Sequence, residues 1–168
     1  IVLGPAMARA ARSAAVAALS RATGIPALPV ESPRGLNDPW LHMAANIFAQ
    51  ADAVLLLGKR LDYGLRFGDA GVFAADRHII QVDWDAAALA NDARAALSLV
   101  ADPASVAERL AAEATGRRWR HAAWGDEVRA ARNAVPPGWA ALRAATSRAI
   151  HPLRVGAALQ PLLDRGAI

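Results

Sequence analysis

Cysteine is absent from the 168 residues. That excludes disulfides, thiolate metal sites and a cysteine nucleophile, and it suits a reducing compartment, so the cytoplasm is the expected location. Aromatic residues make up only 5% of the chain, so any core must be mainly aliphatic. No apolar run approaches the roughly 20 residues that cross a bilayer, and Arg9 and Arg12 interrupt the alanine-rich first segment where a signal peptide is uniformly apolar. No membrane partner is expected. The histidines at 42, 78, 121 and 151 have no zinc-ligand spacing. Neither a G-x-S-x-G elbow nor a G-x-x-x-x-G-K-S/T loop occurs, so neither α/β-hydrolase nor P-loop chemistry is supported.

What is present is alanine and arginine. Apolar residues reach 55%, much of it alanine, which favours helices, and the length suits one domain with a substantial core. The formal charge is +4. Seven arginines between 117 and 148 face only Asp126 and Glu127, so the basicity belongs to one stretch. Arg117, Arg118, Trp119 and Arg120 could form a nucleic-acid-binding arm, but arginines on a connecting helix are usually solvated or docked on a neighbour. Nucleic acid is not an expected partner.

Apolar patterning alternates between strand and helix. Ile1-Val2-Leu3 reads as a strand leading into the turn Gly4-Pro5, with Pro5 suited to a first helical position. Met7, Ala10, Ala14, Ala17 and Leu19 follow on a helix that glycine ends at Thr23-Gly24. Ile25 to Val30 reads as a second strand, which Pro26 and Pro29 put near an edge or restrict to a short pairing. Asp38 and Pro39 open a helix with Leu41, Ala45, Ile47 and Phe48 inward. Ala53 to Leu57 has the continuous apolar character of a parallel strand buried on both faces. His78 to Val82 and Leu97 to Val100 are further strands, Asp85 caps a short helix containing Leu89, and Asp102-Pro103 opens a helix with Val106, Leu110 and Ala114 on one side. This order predicts an α/β fold: a doubly wound, mainly parallel sheet with helices on both faces and ligands at the carboxyl ends of its strands.

Three places carry possible chemistry. The Gly4-Pro5-Ala6-Met7-Ala8 turn could offer helix amides to a phosphate, or simply join strand to helix; it lacks G-x-G-x-x-G spacing. Glu31 follows the second strand, where nucleotide folds often place a ribose-binding acid, but without that fingerprint it reads as a solvated loop acid. The run from Gly58 to Gly68 places Lys59, Arg60 and Arg66 beyond a buried strand. It reads equally as an anion-binding loop and as a surface loop whose arginines pair with Asp62 and Asp69. Asp83 and Asp85 flank Trp84; Asp85 suits a cap, while Asp83 could accept from a ribose or from a loop N–H.

The stretches Ala51-Asp52-Ala53-Val54-Leu55-Leu56-Leu57-Gly58-Lys59-Arg60-Leu61-Asp62 and Ile79-Ile80-Gln81-Val82-Asp83-Trp84-Asp85, with Asn91 and Leu99-Val100-Ala101-Asp102 after them, resemble a known signature. It is that of the central domain of acetolactate synthases, oxalyl-CoA decarboxylases and related thiamine-diphosphate enzymes. The resemblance covers about residues 1–115, with 116–150 as a helical connecting arm and 151–168 as the start of a further domain. It implies a Rossmann-like sheet of about six strands, of the FAD/NAD-binding-domain type. It places Gly4, Arg34, Gly58, Arg60, Asp83 and Asp102 in loops lining a cleft that holds FAD or an ADP/CoA moiety in some members; Lys59 joins them from the local pattern. The first turn here is Gly-Pro-Ala where synthases are glycine-rich, and Arg60-Leu61-Asp62-Tyr63-Gly64 replaces their Arg-Phe-Asp-Asp-Arg.

The resemblance also implies a parent enzyme, a transferase, lyase or decarboxylase, that uses thiamine diphosphate and Mg2+ and assembles as a homodimer or homotetramer. The family binds its cofactor through a glutamate and a Gly-Asp-Gly motif in flanking domains, and no Gly-Asp-Gly occurs in this chain. A strand at residue 1, and another beginning at Gly166-Ala167-Ile168, lead us to expect a piece lying between two cofactor-binding domains, without catalytic residues of its own. The alternative is an independent nucleotide-binding module, such as a sirtuin-like domain.

Overall fold

The structure, a computed structural model, describes residues 1–38, 41, 43–89, 94–119, 121–146 and 149–166. The expected roles of Pro39, Asn91, Arg120 and the last strand residues 167–168 lie outside these. The chain forms two compact units, Ile1–Asn133 and Ala134–Ile168.

The first unit is built on a parallel sheet of β1 (Val2–Leu3), β2 (Leu28–Pro29), β3 (Ala53–Leu57), β4 (His78–Asp83) and β5 (Ala95–Val100), in the order β2-β1-β3-β4-β5. The described residues thus supply five of the about six strands expected. Register puts Val2 beside Leu56 and Leu3 beside Leu57, so alternate residues serve opposite faces. Leu3, Leu57 and Val82 face the helices α1 (Ala10–Thr23) and α3 (Pro103–Ala114). Val2, Val54, Leu56 and Ile79 face the 3-10 segment Ala44–Gln50 and the loop carrying Phe73, whose ring meets Phe48 edge-on at 5.5 Å.

Several elements depart from the sequence expectation, each for a local reason. Helix α1 starts at Ala10 rather than Pro5: Met7 and Ala8 donate back to the Gly4 carbonyl in a single turn, and Arg9, with extended backbone at φ −70° and ψ 149°, interrupts the chain before the helix begins. Its inward residues are Ala15, Val16 and Leu19 rather than Ala14 and Ala17. On α3 the buried row is Pro103, Ala107, Ala111 and Ala114, whereas Leu110 is exposed. Val106 packs at the edge of this contact and Ala114 is buried, as expected, but alanines rather than Leu110 fill its centre, where small residues let α1 and α3 approach closely. Ala44–Gln50 forms 3-10 rather than α-helix, burying Ala44 and Phe48 and leaving Ala45 and Ile47 half-buried.

Strand β2 shrinks to two residues for the anticipated reason. The N–H groups of Leu28 and Val30 donate to β1, and the intervening Pro29, having none, faces away from it. Gly24 closes α1 in the left-handed region, at φ 73°. From the basic stretch, α4 (Ala122–Asn133) packs within this first unit. Val128 enters the core, Trp124 Nε1 donates to Gln50 Oε1 at 3.0 Å, and His121 Nε2 donates to the Thr23 carbonyl at 2.7 Å. Between β4 and β5 a short α2 (Ala86–Leu89) is capped by Asp85, whose Oδ1 accepts from the Ala87 N–H at 2.9 Å.

The second unit contains α5 (Trp139–Ala144) and α6 (Pro152–Leu163). Helix α6 begins with Pro152, as its sequence predicts, and the His151 ring nitrogen accepts from the Leu153 N–H.

Candidate functional site

The strand order reverses direction between β1 and β3, and the crevice outside their carboxyl ends is where ligands of doubly wound sheets bind. Gly4 and Gly58 meet there. The Gly4 N–H donates to the Leu57 carbonyl at 3.0 Å, and a Cβ on Gly4 would fall 1.7 Å from the Gly58 carbonyl oxygen. This backbone contact closes the floor of a cleft of 440 Å³. In the turn above it the Met7 and Ala8 N–H groups donate to the Gly4 carbonyl, and Pro5 has no N–H. The Met7 and Ala8 amides are therefore spent within the strand-to-helix joint.

Cations in the cleft are largely engaged. Lys59 Nζ, on a side chain only 9% exposed, donates to both oxygens of Asp62 at 3.0 and 2.9 Å. Arg60 reaches Asp85 at 2.9 Å, an exposed and solvent-screened pair. The expected pairs of the loop's arginines with Asp62 and Asp69 do not form: Asp62 is taken by Lys59, and Arg60 finds Asp85. Asp83 is buried and accepts from the Asp85 N–H at 2.9 Å. Four carboxylates, Glu31, Asp62, Asp83 and Asp85, line the cleft against Arg9, Lys59 and Arg60. Such a lining favours groups that donate hydrogen bonds over a bare polyanion.

Of the seven residues expected at the site, Gly58, Lys59, Arg60 and Asp83 line the cleft, and Gly4 lies beneath it. Arg34 instead lines a neighbouring depression. Asp102 caps α3, accepting from the Ser105 N–H and hydroxyl, and binds Arg12 at 2.5 Å. That guanidinium lies 5.3 Å from the centre of the Trp84 ring, so Asp102 reaches the cleft only through Arg12 and Trp84. The cleft is also lined by Arg9, Trp84 and Tyr63, which no motif marks as site residues. The last two are 48% and 62% exposed, uncommon for aromatics in so aromatic-poor a chain, and that scarcity was the available signal.

The hydrogen bond from Arg12, aided by Ser105, holds the Asp102 carboxyl below its usual pKa. A depressed folded pKa stabilises above the unfolded value of about 3.9 and loses that contribution as pH falls through the folded value. Asp102→Ala should cost about 1 kcal/mol through the lost cap, lowering Tm by about 3 °C. Asp102→Asn keeps a capping side chain but not the charge. Its melting temperature should fall below that of the wild type at neutral pH and converge with it as the pH drops below about 4. Parallel curves across that range would remove the charge from the account.

Beyond Asp62 the backbone is strained. Arg66 (φ 46°, ψ 40°) and Phe67 (φ 51°, ψ 24°) are consecutive non-glycine residues in the left-handed region, at roughly 1–2 kcal/mol each. The Phe67 N–H donates to the Asp62 carbonyl at 2.9 Å, Arg77 holds the Gly68 carbonyl, and Arg94 lies over the Phe67 ring, so the surroundings impose the strain.

These features define a doubly wound, Rossmann-like domain with an acid-lined cleft at its switch point. Residues 1–110 match the family described as thiamine pyrophosphate enzyme, central domain, and the chain belongs to that family. Its members are domains of thiamine-diphosphate-dependent enzymes, in which the central domain sits with other domains of the same enzyme. Among the described residues no helix is long and apolar enough to cross a membrane.

Proposed function

We propose that this chain is the non-catalytic central domain of an acetolactate-synthase-like synthase, lyase or decarboxylase. The parent would work in the cytoplasm as a homodimer or homotetramer. Thiamine diphosphate and Mg2+, held by its other domains, would supply the ylid chemistry that makes or breaks a carbon–carbon bond next to a carbonyl. The family match over residues 1–110 carries this reading. The sequence contains no Gly-Asp-Gly, which supports placing the cofactor in the other domains.

The cleft is proposed to take the nucleoside part of FAD, ADP or CoA. Glu31, Asp83 and Asp85 offer acceptors for ribose hydroxyls or an amino group, and Trp84 offers a ring surface. Calorimetry on this chain tests both parts. No heat is expected with thiamine diphosphate and Mg2+, and micromolar binding would overturn the division of labour. Binding of ADP is expected; silence with ADP, CoA and FAD alike would leave the cleft a purely structural feature.

A further inference from the structure

Beside the cleft, and sharing Pro33, Tyr63 and Gly64 with it, lies a second depression of 270 Å³. Two loops build it, one following β2 and one following β3. They touch backbone to backbone: a Cβ on Gly35 would fall 2.1 Å from the Gly64 carbonyl oxygen. Arg34 projects from the first loop and Arg66 from the second, and both line the depression. No carboxylate lines it among the described residues, in contrast to the cleft next door. Lys59 and Arg60 are each held by a carboxylate, whereas neither the Arg34 nor the Arg66 guanidinium has an ion pair or hydrogen bond among the described residues. The left-handed strain falls on Arg66 itself, and strain kept by surrounding contacts is a mark of functional loops.

We propose that this depression is an anion site for a phosphoryl or diphosphoryl group, clamped between Arg34 and Arg66 with the exposed Tyr63 at its rim. Two guanidinium groups supply planar donor forks and a double positive charge, which match a phosphate dianion. The cleft's own lining, with four carboxylates, is poorly suited to that charge. In the fuller form of the proposal, which rests on the nucleotide reading above, the depression takes the phosphates of the nucleotide whose nucleoside lies in the cleft. The anion site itself stands without that reading.

Calorimetry on the 168-residue chain with pyrophosphate, ADP and adenosine provides the test. Pyrophosphate and ADP should bind, more weakly as salt rises. Arg34→Gln and Arg66→Gly should each weaken both by about tenfold or more, and the double variant should abolish pyrophosphate binding. Arg66→Gly separates binding from folding, because glycine takes φ 46° without strain; it should melt no lower than the wild type. Arg21→Gln, on the exposed last turn of α1, should bind as the wild type does. Absent pyrophosphate binding, unchanged binding in Arg34→Gln and Arg66→Gly, or an equal loss in Arg21→Gln would overturn the anion site. ADP binding that survives both substitutions would keep the nucleotide reading and sink this one. Pyrophosphate binding that is lost in both, with ADP no tighter than pyrophosphate and adenosine silent, would do the reverse.

Discussion

Gly4→Ala is expected to unfold the first unit or leave it barely stable. The added methyl would stand 1.7 Å from the Gly58 carbonyl oxygen and 2.5 Å from its carbon, both backbone atoms at the end of the central strand. No side chain can rotate away to make room. Relief requires β1 to separate from β3, breaking the bond from the Gly4 N–H to Leu57 and the paired register of Val2 with Leu56. Overpacking in a core costs about 1–3 kcal/mol where neighbours can shift; here they cannot, so the loss should reach at least the top of that range. Set against a total stability of about 5–15 kcal/mol, that is a large share. Gly24→Ala is the comparison that isolates the cause. Gly24 has φ 73° but nothing within 4 Å of the added methyl, so its substitution should cost only the conformational strain, about 1 kcal/mol. Equal melting temperatures for the two variants would refute the steric argument.

Gly35→Ala is expected to leave the sheet folded and to abolish pyrophosphate and ADP binding. Its methyl would meet Gly64 at 2.1 to 2.5 Å, again backbone against backbone, and at φ 55° alanine is strained before any contact is counted. The collision lies between two loops rather than two paired strands, so the loops can part. A cost of about 2 kcal/mol would lower Tm by about 6 °C, while Arg34 and Arg66 would no longer face a common depression. Circular dichroism that matches the wild type, together with lost binding, is the expected pair of results. Retained binding would show that the two loops do not depend on their glycine contact.

The sequence shows most clearly where burial acts on one element at a time. Ala53–Leu57 is a run of apolar residues, and Ile79, Ile80 and Val82 dominate His78–Asp83, because a central parallel strand is covered on both faces, and such patterns need no knowledge of the partner. The caps at Asp85 and Asp102 and the stop at Gly24 were equally readable, since each depends on residues two to four positions away. Contacts made over long separations were hidden. Arg60 lies 25 residues from Asp85, so nothing in the spacing says that its charge is taken. Gly4 and Gly58 each look like an ordinary turn residue until β1 and β3 are placed side by side. The alanine rows of α1 and α3 lack the large aliphatics that announce a buried face. Arg66 and Phe67 adopt left-handed backbone without the glycine or asparagine that usually marks it.

Pro29 bears on how this domain can meet other chains. In β2 the amides on the inner side are spent on β1, and the outward position between them is a proline, which offers an arriving strand an acceptor but no donor. That border of the sheet cannot template strand addition, and in this respect it is protected against runaway self-association. Among the described strands β5 forms the opposite border; it carries no proline and exposes Leu97, Leu99 and Val100, so the two borders differ in what they offer a neighbouring chain.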